Sequence, residues 1–360
     1  MKKKLLVICP HYDTFIKTQT ESLSEYFETI SVLIPKWSSV FARVDREFFS
    51  AKKNIKLYFV AAVSPLLFIS HRKVTDFIYK NNIEFDVVLS HFLVPYGFLG
   101  NSVASHFHKK SVIIAHGFDI YDLPFRNIFY KKLIQGILHK ADKIITVSES
   151  NLKCIDKLGF KEKATVIPNS FDSSLFYPQD KKKCRLQLGV PNDKKVVLTV
   201  GNLVPIKNQK TLIDAVSSMD DVLCYIIGEG PLKDKLQKQI DTINVSDRVF
   251  LVGHKPHSEI PLWMNACDVF VLPSIREGNP TVLFETLGCG IPFIGSSVGG
   301  IPEIIVSEKY GFIFENNHTR TLSLLLKESL NKNWKRKVIL GYAKNFESLN
   351  ISKKIYLELV

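Results

Sequence analysis

Residues 268–297 read DVFVLPSIREGNPTVLFETLGCGIPFIGSS, and this stretch decides the fold. It begins with an unbroken apolar run, passes through a short polar loop, continues as a helix from Pro280, and ends in a second apolar run. Proline suits the first turn of a helix, because the N–H that it lacks would have no partner there. Unbroken apolar strands are typical of a parallel sheet covered by helices on both faces. The stretch therefore predicts a strand–helix–strand unit of a parallel sheet.

Apolar runs alternate with amphipathic stretches on both sides of this unit. In the first half the candidate strands are KLLVIC, ISVLI, IKLYFVAA, DVVLS, SVIIA, KIITVS and ATVIP. In the second half they are KKVVLTVG, DVLCYIIGEG, DRVFLVG, DVFVLPS, IPFIGSS and GFIFE. Strands that alternate with helices are typical of doubly wound α/β proteins. The pattern predicts two Rossmann-like halves that follow one another.

A break in this pattern suggests the domain boundary. Residues 168–191 contain three prolines, a lysine run at Lys181–Lys183 and no apolar strand, so we interpret them as a linker. This interpretation gives a first domain at 1–185 and a second at 186–342. The last residues, 343–360, have the apolar spacing of one or two helices that cover their own domain or cross to the other one.

The composition is that of a folded globular protein. Of the 360 residues, 46% are hydrophobic and 23% are charged, which excludes a disordered or collagen-like chain. The net charge of +13 is uneven, since residues 1–185 hold 28 basic and 17 acidic side chains and residues 186–360 hold 20 and 18. A basic first half indicates an anionic partner. The six cysteines form no C-x-x-C pair, which agrees with a reducing cytoplasm.

Ligands of open parallel sheets bind at the carboxyl ends of the strands, so the residues after each strand are the candidates for a site. After DVFVLPS, Glu277 lies on the loop and Glu285 on the first turns of the next helix. The Gly278–Asn279 loop before Pro280 exposes free N–H groups and the positive end of the helix dipole to an anion. Amides for phosphates and carboxylates for sugar hydroxyls together suit a sugar diphosphate. Either glutamate alone would be an ordinary surface or helix-cap charge.

Three other loops that follow predicted strands carry candidate groups. Gly201 permits a tight turn, and Lys207 lies just before a helix, where a lysine can meet phosphate as a point charge or simply remain solvated. Gly228 opens a G-x-G loop, which is weak evidence by itself. His116 follows the SVIIA strand, where a structural histidine is about as common as a catalytic one.

The sequence lacks the motifs of several other chemistries. It contains no G-x-S-x-G, no H-E-x-x-H and no G-x-x-x-x-G-K-[ST]. No Asp-x-Asp occurs, so a metal-clamped diphosphate site is not indicated. No G-x-G-x-x-G follows the first strand, which argues against a dinucleotide dehydrogenase. Only the charge points to nucleic acid, since no motif of that class is recognised.

With these residues in view, the chain resembles a retaining glycosyltransferase of the GT-B fold, family 4. The similarity covers nearly the whole chain. Its strongest element, EGNPTVLFETLGCGIPFIGSSVGGIPEII, resembles the paired-glutamate signature of that family and the GGxPE loop after it. Supporting segments are HGFDIY, VSES, VIPNSFDSSLF, VGNLVPIKN, GEGPL and LVGHKPHSEIPLWMNACDVFVLPS. The resemblance implies two Rossmann-like domains that face each other across a cleft, and a final helix within 343–360 that returns to the first domain.

The resemblance also implies roles for individual residues. Glu277 would hold hydroxyls of the donor sugar, and Glu285 would bind the ribose of the nucleotide. Lys207 would neutralise the diphosphate, and His116 would contact the donor sugar near the reacting carbon. The other donor-binding residues would be Gly201, Asn202, Gly228, Gly278, Asn279, Pro280 and Thr281. Family members need no metal and no cofactor beyond the UDP- or GDP-type sugar that they consume as co-substrate.

The chain departs from the family pattern at three places. Asn202 stands where an arginine usually lies beside the diphosphate, and Ser170 replaces the glycine of a P-N-G turn. The first loop, 10–19, lacks the glycine pair that often brings the acceptor close to the backbone. The candidate acceptor-binding residues on this loop are His11, Thr14 and Lys17.

Aromatic and basic residues interleave early in the first half. They are Lys36, Trp37, Phe41, Arg43, Arg46, Phe48, Phe49, Lys52, Lys53 and Lys56. This mixture suits an anionic membrane surface, although an ordinary solvated loop fits it nearly as well. No apolar run is long enough to span a bilayer. We therefore expect a cytoplasmic protein, peripheral at the inner face of the cell membrane, with a lipid-linked or anionic glycan acceptor and no nucleic acid.

The expected function is retaining transfer of a hexose from a nucleotide-diphosphate sugar to a hydroxyl group, in the synthesis of a bacterial capsule, exopolysaccharide or lipopolysaccharide. Two alternatives from other classes stay open. A nucleotide-sugar epimerase or phosphorylase of the GT-B fold would use the same framework without this acceptor. A non-catalytic sugar-nucleotide-binding partner would fit the loss of the arginine at Asn202.

Overall fold

The computed structural model divides into two compact units, one made of Met1–Asn169 and Ser348–Val360 and the other of Ser170–Glu347. It describes residues 2–12, 14–35, 52–60, 67–316 and 318–360, with the side chains of 67–70 left aside. Of the interleaved aromatic and basic residues, those outside the described residues are Lys36, Trp37, Phe41, Arg43, Arg46, Phe48 and Phe49. In the described ranges, no helix is both long enough and apolar enough to cross a bilayer.

A parallel seven-stranded sheet, in the order β3-β2-β1-β4-β5-β6-β7, forms the centre of the first unit in its described part. Its strands are β1 (Lys4–Ile8), β2 (Thr29–Pro35), β3 (Ile55–Val60), β4 (Val87–His91), β5 (Lys110–Ala115), β6 (Lys143–Thr146) and β7 (Ala164–Val166). Its helices are α1 (Thr14–Leu23), α2 (Leu67–Lys80), α3 (Phe98–His106), α4 (Phe118–Tyr121), α5 (Ile128–Lys140) and α6 (Glu149–Lys157). Leu5 and Val7 join one buried cluster and Leu6 and Ile8 another, so both faces of β1 are covered. This is why its sequence is an unbroken apolar run.

The second unit is built around a parallel six-stranded sheet in the order β10-β9-β8-β11-β12-β13, as far as the structure describes it. Its strands are β8 (Lys195–Val200), β9 (Val222–Ile227), β10 (Val249–Gly253), β11 (Val269–Leu272), β12 (Phe293–Ser296) and β13 (Gly311–Phe314). Its helices are α7 (Lys181–Leu188), α8 (Gln209–Val216), α9 (Lys233–Thr242), α10 (Ile260–Ala266), α11 (Thr281–Gly288), α12 (Ile301–Ile304), α13 (Thr319–Asn331) and α14 (Arg336–Ala343). Val196 and Leu198 enter one core cluster and Val197 the opposite one. The predicted doubly wound α/β class is confirmed for both sheets.

A helix occupies the segment that the sequence predicts to be a linker. Asp180 caps α7 by accepting a hydrogen bond from the Lys183 amide at 2.9 Å. Arg185 is buried and donates to Asp268 at 2.8 Å and to the Ala266 carbonyl at 2.9 Å. Because these bonds fasten α7 to the second unit, the division falls between residues 169 and 170 rather than at 185.

The tail returns to the first unit, and it does so later than the predicted boundary at 343. Helix α15 (Ser348–Leu359) belongs to the first unit. Its Tyr356 ring stacks on Tyr26 with centroids 5.0 Å apart, and it lies edge-on to the Phe27 ring with centroids 5.5 Å apart. Residues 343–347 stay with the second unit, where Phe346 packs against Phe284 at 5.0 Å.

Candidate functional site

The loops after β8 and β9 pack backbone to backbone at the carboxyl edge of the second sheet. The Leu203 amide donates to the Glu229 carbonyl at 2.9 Å, and the Leu232 amide donates to the Leu203 carbonyl at 3.1 Å. Gly228 has φ +144°, and a Cβ there would lie 2.1 Å from the Gly201 carbonyl oxygen. Since only glycine tolerates this approach, Gly228 allows its loop to pack against the Gly201 backbone.

The loop after β11 is held in a similar way by the loop after β12. The Gly300 amide donates to the Gly278 carbonyl at 2.7 Å. Gly299 has φ +55°, and a Cβ at this position would lie 2.0 Å from the Glu277 carbonyl oxygen. The GGxPE segment therefore fixes the backbone that carries Glu277.

Lys207 and Glu277 form an ion pair at this edge of the sheet. Lys207 Nζ lies 2.7 Å from Glu277 Oε1, and the two side chains are 22% and 9% exposed. The loops are brought together by the Ile275 amide, which donates to the Ile206 carbonyl at 2.8 Å. Each charge thus has a partner in a mostly buried place, which avoids the cost of an isolated buried ion.

Glu285 lies one turn into α11, and its partner is His257, which the sequence motifs do not predict as a site residue. Glu285 is 6% exposed, and its Oε1 lies 2.8 Å from His257 Nε2. The His257 ring in turn packs against Phe176 with ring centroids 5.1 Å apart. A signal was present in the sequence, because His257 follows β10 as Lys207 follows β8 and Glu277 follows β11.

The remaining donor-site candidates lie on the loops that follow β8 and β11. Gly278 and Asn279 precede α11, and Pro280 occupies the N-cap position before Thr281 rather than the first turn. The Asn202 side chain is exposed, and its backbone carbonyl accepts a hydrogen bond from Gln209 at 3.0 Å. The start of α11 thus presents backbone amides beside the loop that carries Glu277, as an anion site requires.

His116 lies directly after β5, edge to edge with a second histidine, His91, whose ring is nearly parallel to its own. Their ring centroids are 5.2 Å apart at 9°, and His91 Nδ1 lies 3.0 Å from His116 Nε2. The Phe15 ring lies edge-on to the His116 ring, with ring centroids 5.0 Å apart. His91 is not predicted from the sequence; it ends β4 and lies beside His116 because β4 and β5 are neighbours in the sheet.

The surroundings of this histidine pair keep both rings neutral. Burial lowers the pKa of His116 to about 3, with a smaller contribution from His11. Burial also lowers the pKa of His91 well below its usual value, and the nearby His116 and His11 lower it further. One neutral ring therefore donates to the other, and the pair is oriented by a single hydrogen bond.

A buried carboxylate joins the two backbone segments that follow the histidines. Asp119 Oδ1 accepts from the Gly117 amide and Oδ2 from the Leu93 amide, both at 2.9 Å. Burial raises the pKa of Asp119, while these hydrogen bonds act in the opposite direction. Asp119 thus fixes the backbone just after each histidine.

The three acceptor candidates occupy two kinds of structure. His11 lies on the loop after β1 and is close enough to affect both histidine pKa values. Thr14 and Lys17 lie on α1, whose first residue is Thr14, and not on a loop as the sequence predicts. The helix begins there because Ile16 and the residues that follow it bury one face.

The structure thus brings Lys207 together with Glu277 and Gly201 together with Gly228, while Glu285 pairs with His257. In the part of the chain that is described, no group of three or more His, Cys, Asp or Glu side chains is placed to hold a metal ion.

Two family models match the chain, and together they span most of it. The model described as Glycosyltransferase Family 4 matches residues 29–175. The model described as Glycosyl transferases group 1 matches residues 180–346, which include Lys207 and both candidate glutamates.

Two relatives share similarity over a large part of the chain. One, named as the teichuronic acid biosynthesis glycosyltransferase TuaC of Bacillus subtilis, is 26% identical over 82% of this chain and 79% of its own length. The other, the UDP-Gal:alpha-D-GlcNAc-diphosphoundecaprenol alpha-1,3-galactosyltransferase of Escherichia coli, is 29% identical over 62% of this chain and 59% of its own.

A solved structure has the same fold throughout. Anabaena Alr3699/HepE in complex with UDP matches 100% of this chain and 99% of its own, with a TM-score of 0.81 and 20% identity. The two parallel sheets, the paired family models and this likeness agree with one another. The chain belongs to the family 4 glycosyltransferases of the GT-B fold.

Proposed function

We propose that the protein is a retaining, metal-independent glycosyltransferase that transfers a hexose from a UDP or GDP sugar to a hydroxyl group of a growing bacterial cell-surface polysaccharide. The observation that carries the proposal is the Lys207–Glu277 pair, 2.7 Å apart, beside the start of α11. A cation, a carboxylate and free backbone amides are the groups needed to hold a diphosphate and the sugar attached to it.

The comparisons support the classes of donor and acceptor. A related structure holds UDP, and the galactosyltransferase relative is named for a UDP-galactose donor and a diphosphoundecaprenol-linked acceptor. TuaC is named for the biosynthesis of teichuronic acid, which is an anionic glycan. We therefore propose a nucleotide-sugar donor, a lipid-linked or anionic glycan acceptor, and localisation at the inner face of the cell membrane.

In the proposed donor complex Lys207 exchanges Glu277 for the diphosphate. The freed Glu277 carboxylate then accepts hydrogen bonds from hydroxyls of the donor sugar. Glu285, oriented by His257 at 2.8 Å, accepts hydrogen bonds from the ribose. The backbone N–H groups of Gly278, Asn279 and Thr281 donate to phosphate oxygens at the positive end of α11, where Pro280 has no N–H to offer.

The proposed chemistry needs charge stabilisation more than a covalent nucleophile. The bond from the anomeric carbon to the phosphate oxygen breaks through an oxocarbenium-like state, and the acceptor oxygen forms its bond on the same face. The acceptor proton passes to the departing phosphate. Lys207 and the helix amides stabilise the charge that develops on the leaving group, which is the largest contribution in many enzymes. His116, which is neutral, contacts the donor sugar near the reacting carbon and adds no charge there.

Nuclear magnetic resonance of the anomeric proton tests this proposal. Purified protein is incubated with candidate UDP and GDP sugars and a hydroxyl acceptor in the presence of EDTA. We expect a product with the anomeric configuration of the donor. An inverted centre, or transfer that requires added Mn²⁺ or Mg²⁺, contradicts the proposal. Incubation of the donor alone and with inorganic phosphate separates transfer from epimerisation and phosphorolysis.

A further inference from the structure

Four large exposed apolar side chains of the first unit lie within one short segment, residues 118–129. Phe118, Phe125, Ile128 and Phe129 are 53%, 46%, 66% and 69% exposed. Single exposed apolar residues are ordinary on protein surfaces, but several together indicate a surface that meets an apolar partner. We call these four residues the aromatic patch.

The patch belongs to one structural block. The Arg126 guanidinium lies 5.0 Å from the centre of the Phe118 ring, and Arg126 Nε donates to Asp122 at 2.6 Å. These contacts tie α4 to the turn that carries Phe125 and to the start of α5. Asn127 caps α5 by accepting from the Tyr130 amide at 3.0 Å, so the helix holds its first two residues in a fixed place.

Helix α5 turns one face to the core and leaves the other uncovered. The residues on its inner face are Ile134, Ile137 and Leu138, all buried. Ile128, Phe129 and Lys132 are exposed and lie on the opposite side. A Cβ added at Gly136 would meet nothing within 4 Å, so this side is open further along the helix as well.

The patch is bordered by positive charge. Arg126, Lys131 and Lys132 lie within or next to it, and Lys132 is exposed. The acidic residues from Phe118 to Lys140 are Asp119, which is buried and accepts from two backbone amides, and Asp122, which pairs with Arg126. An outward surface with apolar rings beside unopposed lysines complements anionic lipid headgroups above acyl chains.

We propose that the aromatic patch docks the protein on an anionic lipid bilayer. The rings enter the boundary between headgroups and acyl chains, and Lys131 and Lys132 meet the lipid phosphates. Phe118, the first residue of α4, follows His116 by two positions. The inference therefore rests on the proposed function and deepens it, because a bilayer held there brings a lipid-linked acceptor to the loop that carries His116.

Vesicle flotation tests the apolar part of the patch. The full chain is mixed with phosphatidylcholine vesicles that contain about one third phosphatidylglycerol, and with phosphatidylcholine alone. We expect the wild type to prefer the anionic vesicles and the F125S/F129S variant to lose at least about tenfold in partition coefficient. The matched control is L186S/L324S, which removes two exposed apolar side chains from the second unit and leaves flotation unchanged.

The charged part is tested with the K131Q/K132Q variant. Its partition coefficient should fall by about fivefold for each lysine at low salt. K235Q/K238Q, which removes two exposed charges from α9, should float like the wild type. Circular dichroism melting of every variant establishes that it is folded.

Two results overturn the inference. One is flotation of F125S/F129S equal to that of the wild type. The other is a dimeric wild type that this variant converts to a monomer in light scattering, which would make the patch an interface between two copies. Sugar transfer to a soluble acceptor is measured on the same preparations and reports separately on the proposed function. Flotation that depends on the patch, without transfer, contradicts only the transferase proposal. Transfer without flotation that depends on the patch contradicts only the docking surface.

Discussion

Lys207 and Glu277 neutralise each other in a mostly buried place, at 2.7 Å. When one partner of such a pair is removed, the remaining charge loses its counter-ion while it stays desolvated. When both are removed, no uncompensated charge remains. Stability and activity should therefore respond differently to single and double substitutions of this pair.

We expect Lys207→Met to lower the free energy of unfolding by about 2 kcal/mol, because it strands the Glu277 carboxylate. The double variant Lys207→Met, Glu277→Gln should recover most of this loss. The kcat/KM of the single and of the double variant should fall about 10²- to 10³-fold, because the charge on the leaving group loses its stabilising cation. Urea unfolding and steady-state transfer rates measure the two effects, and the exposed Lys210→Met is the control. Activity restored in the double variant would show that Lys207 serves only to neutralise Glu277.

The histidine pair predicts how stability depends on pH. In the unfolded chain a histidine binds a proton near pH 6.5, whereas burial lowers the pKa of folded His116 to about 3 and that of His91 well below 6.5. Between these values the unfolded chain binds more protons, so stability falls as the pH falls. Each ring contributes a slope of up to about 1.4 kcal/mol per pH unit.

We expect His91→Gln to reduce the slope of the unfolding free energy between pH 6.5 and about 5, measured with urea at several pH values. The substitution also removes the hydrogen bond to His116, so the slopes rather than the absolute stabilities are compared. The exposed His139→Gln serves as the control. An unchanged slope in His91→Gln would mean that His91 is not held neutral in the folded protein.

Among the elements, the loops after the strands depend on close backbone contacts. Gly299 combines φ +55° with a would-be Cβ contact of 2.0 Å to Glu277, so any side chain there must displace the Glu277 loop. We expect Gly299→Ala to reduce transfer by more than about tenfold, because small displacements of positioning groups are costly. Gly136→Ala, in the middle of α5 with open space around it, should keep full activity and gain about 0.5–1 kcal/mol of stability. Steady-state rates and urea unfolding test both, and an active Gly299→Ala would contradict the role given to this contact.

The sequence predicts strands better than connections. β1 and β8 are recognisable because both faces are buried, which leaves an unbroken apolar run. Helix α7 is not predicted from the sequence, because tertiary contacts hold it in place. Its Arg185 donates a hydrogen bond to Asp268, which lies more than 80 positions away in the chain. His91 was missed for a similar reason, since only the order of the strands places it beside His116.

At the scale of the whole molecule, the family motifs predict two doubly wound units and a tail that returns to the first of them. They do not predict where Thr14 and Lys17 lie, because the start of α1 is decided by the residues that it buries. The substrate roles of the site residues, the retained configuration and the membrane contact stay predictions. The claim on which they depend is that the second unit binds a nucleotide diphosphate with protein charges and no cation.

Calorimetric titration of UDP and of GDP in the presence of EDTA tests that claim most directly. We predict that one of the two binds the wild type without a divalent cation, and that Lys207→Met weakens this binding by at least about tenfold while the exposed Lys210→Met does not. Binding that appears only with Mg²⁺ or Mn²⁺, or that is equally tight in Lys207→Met, would contradict the account.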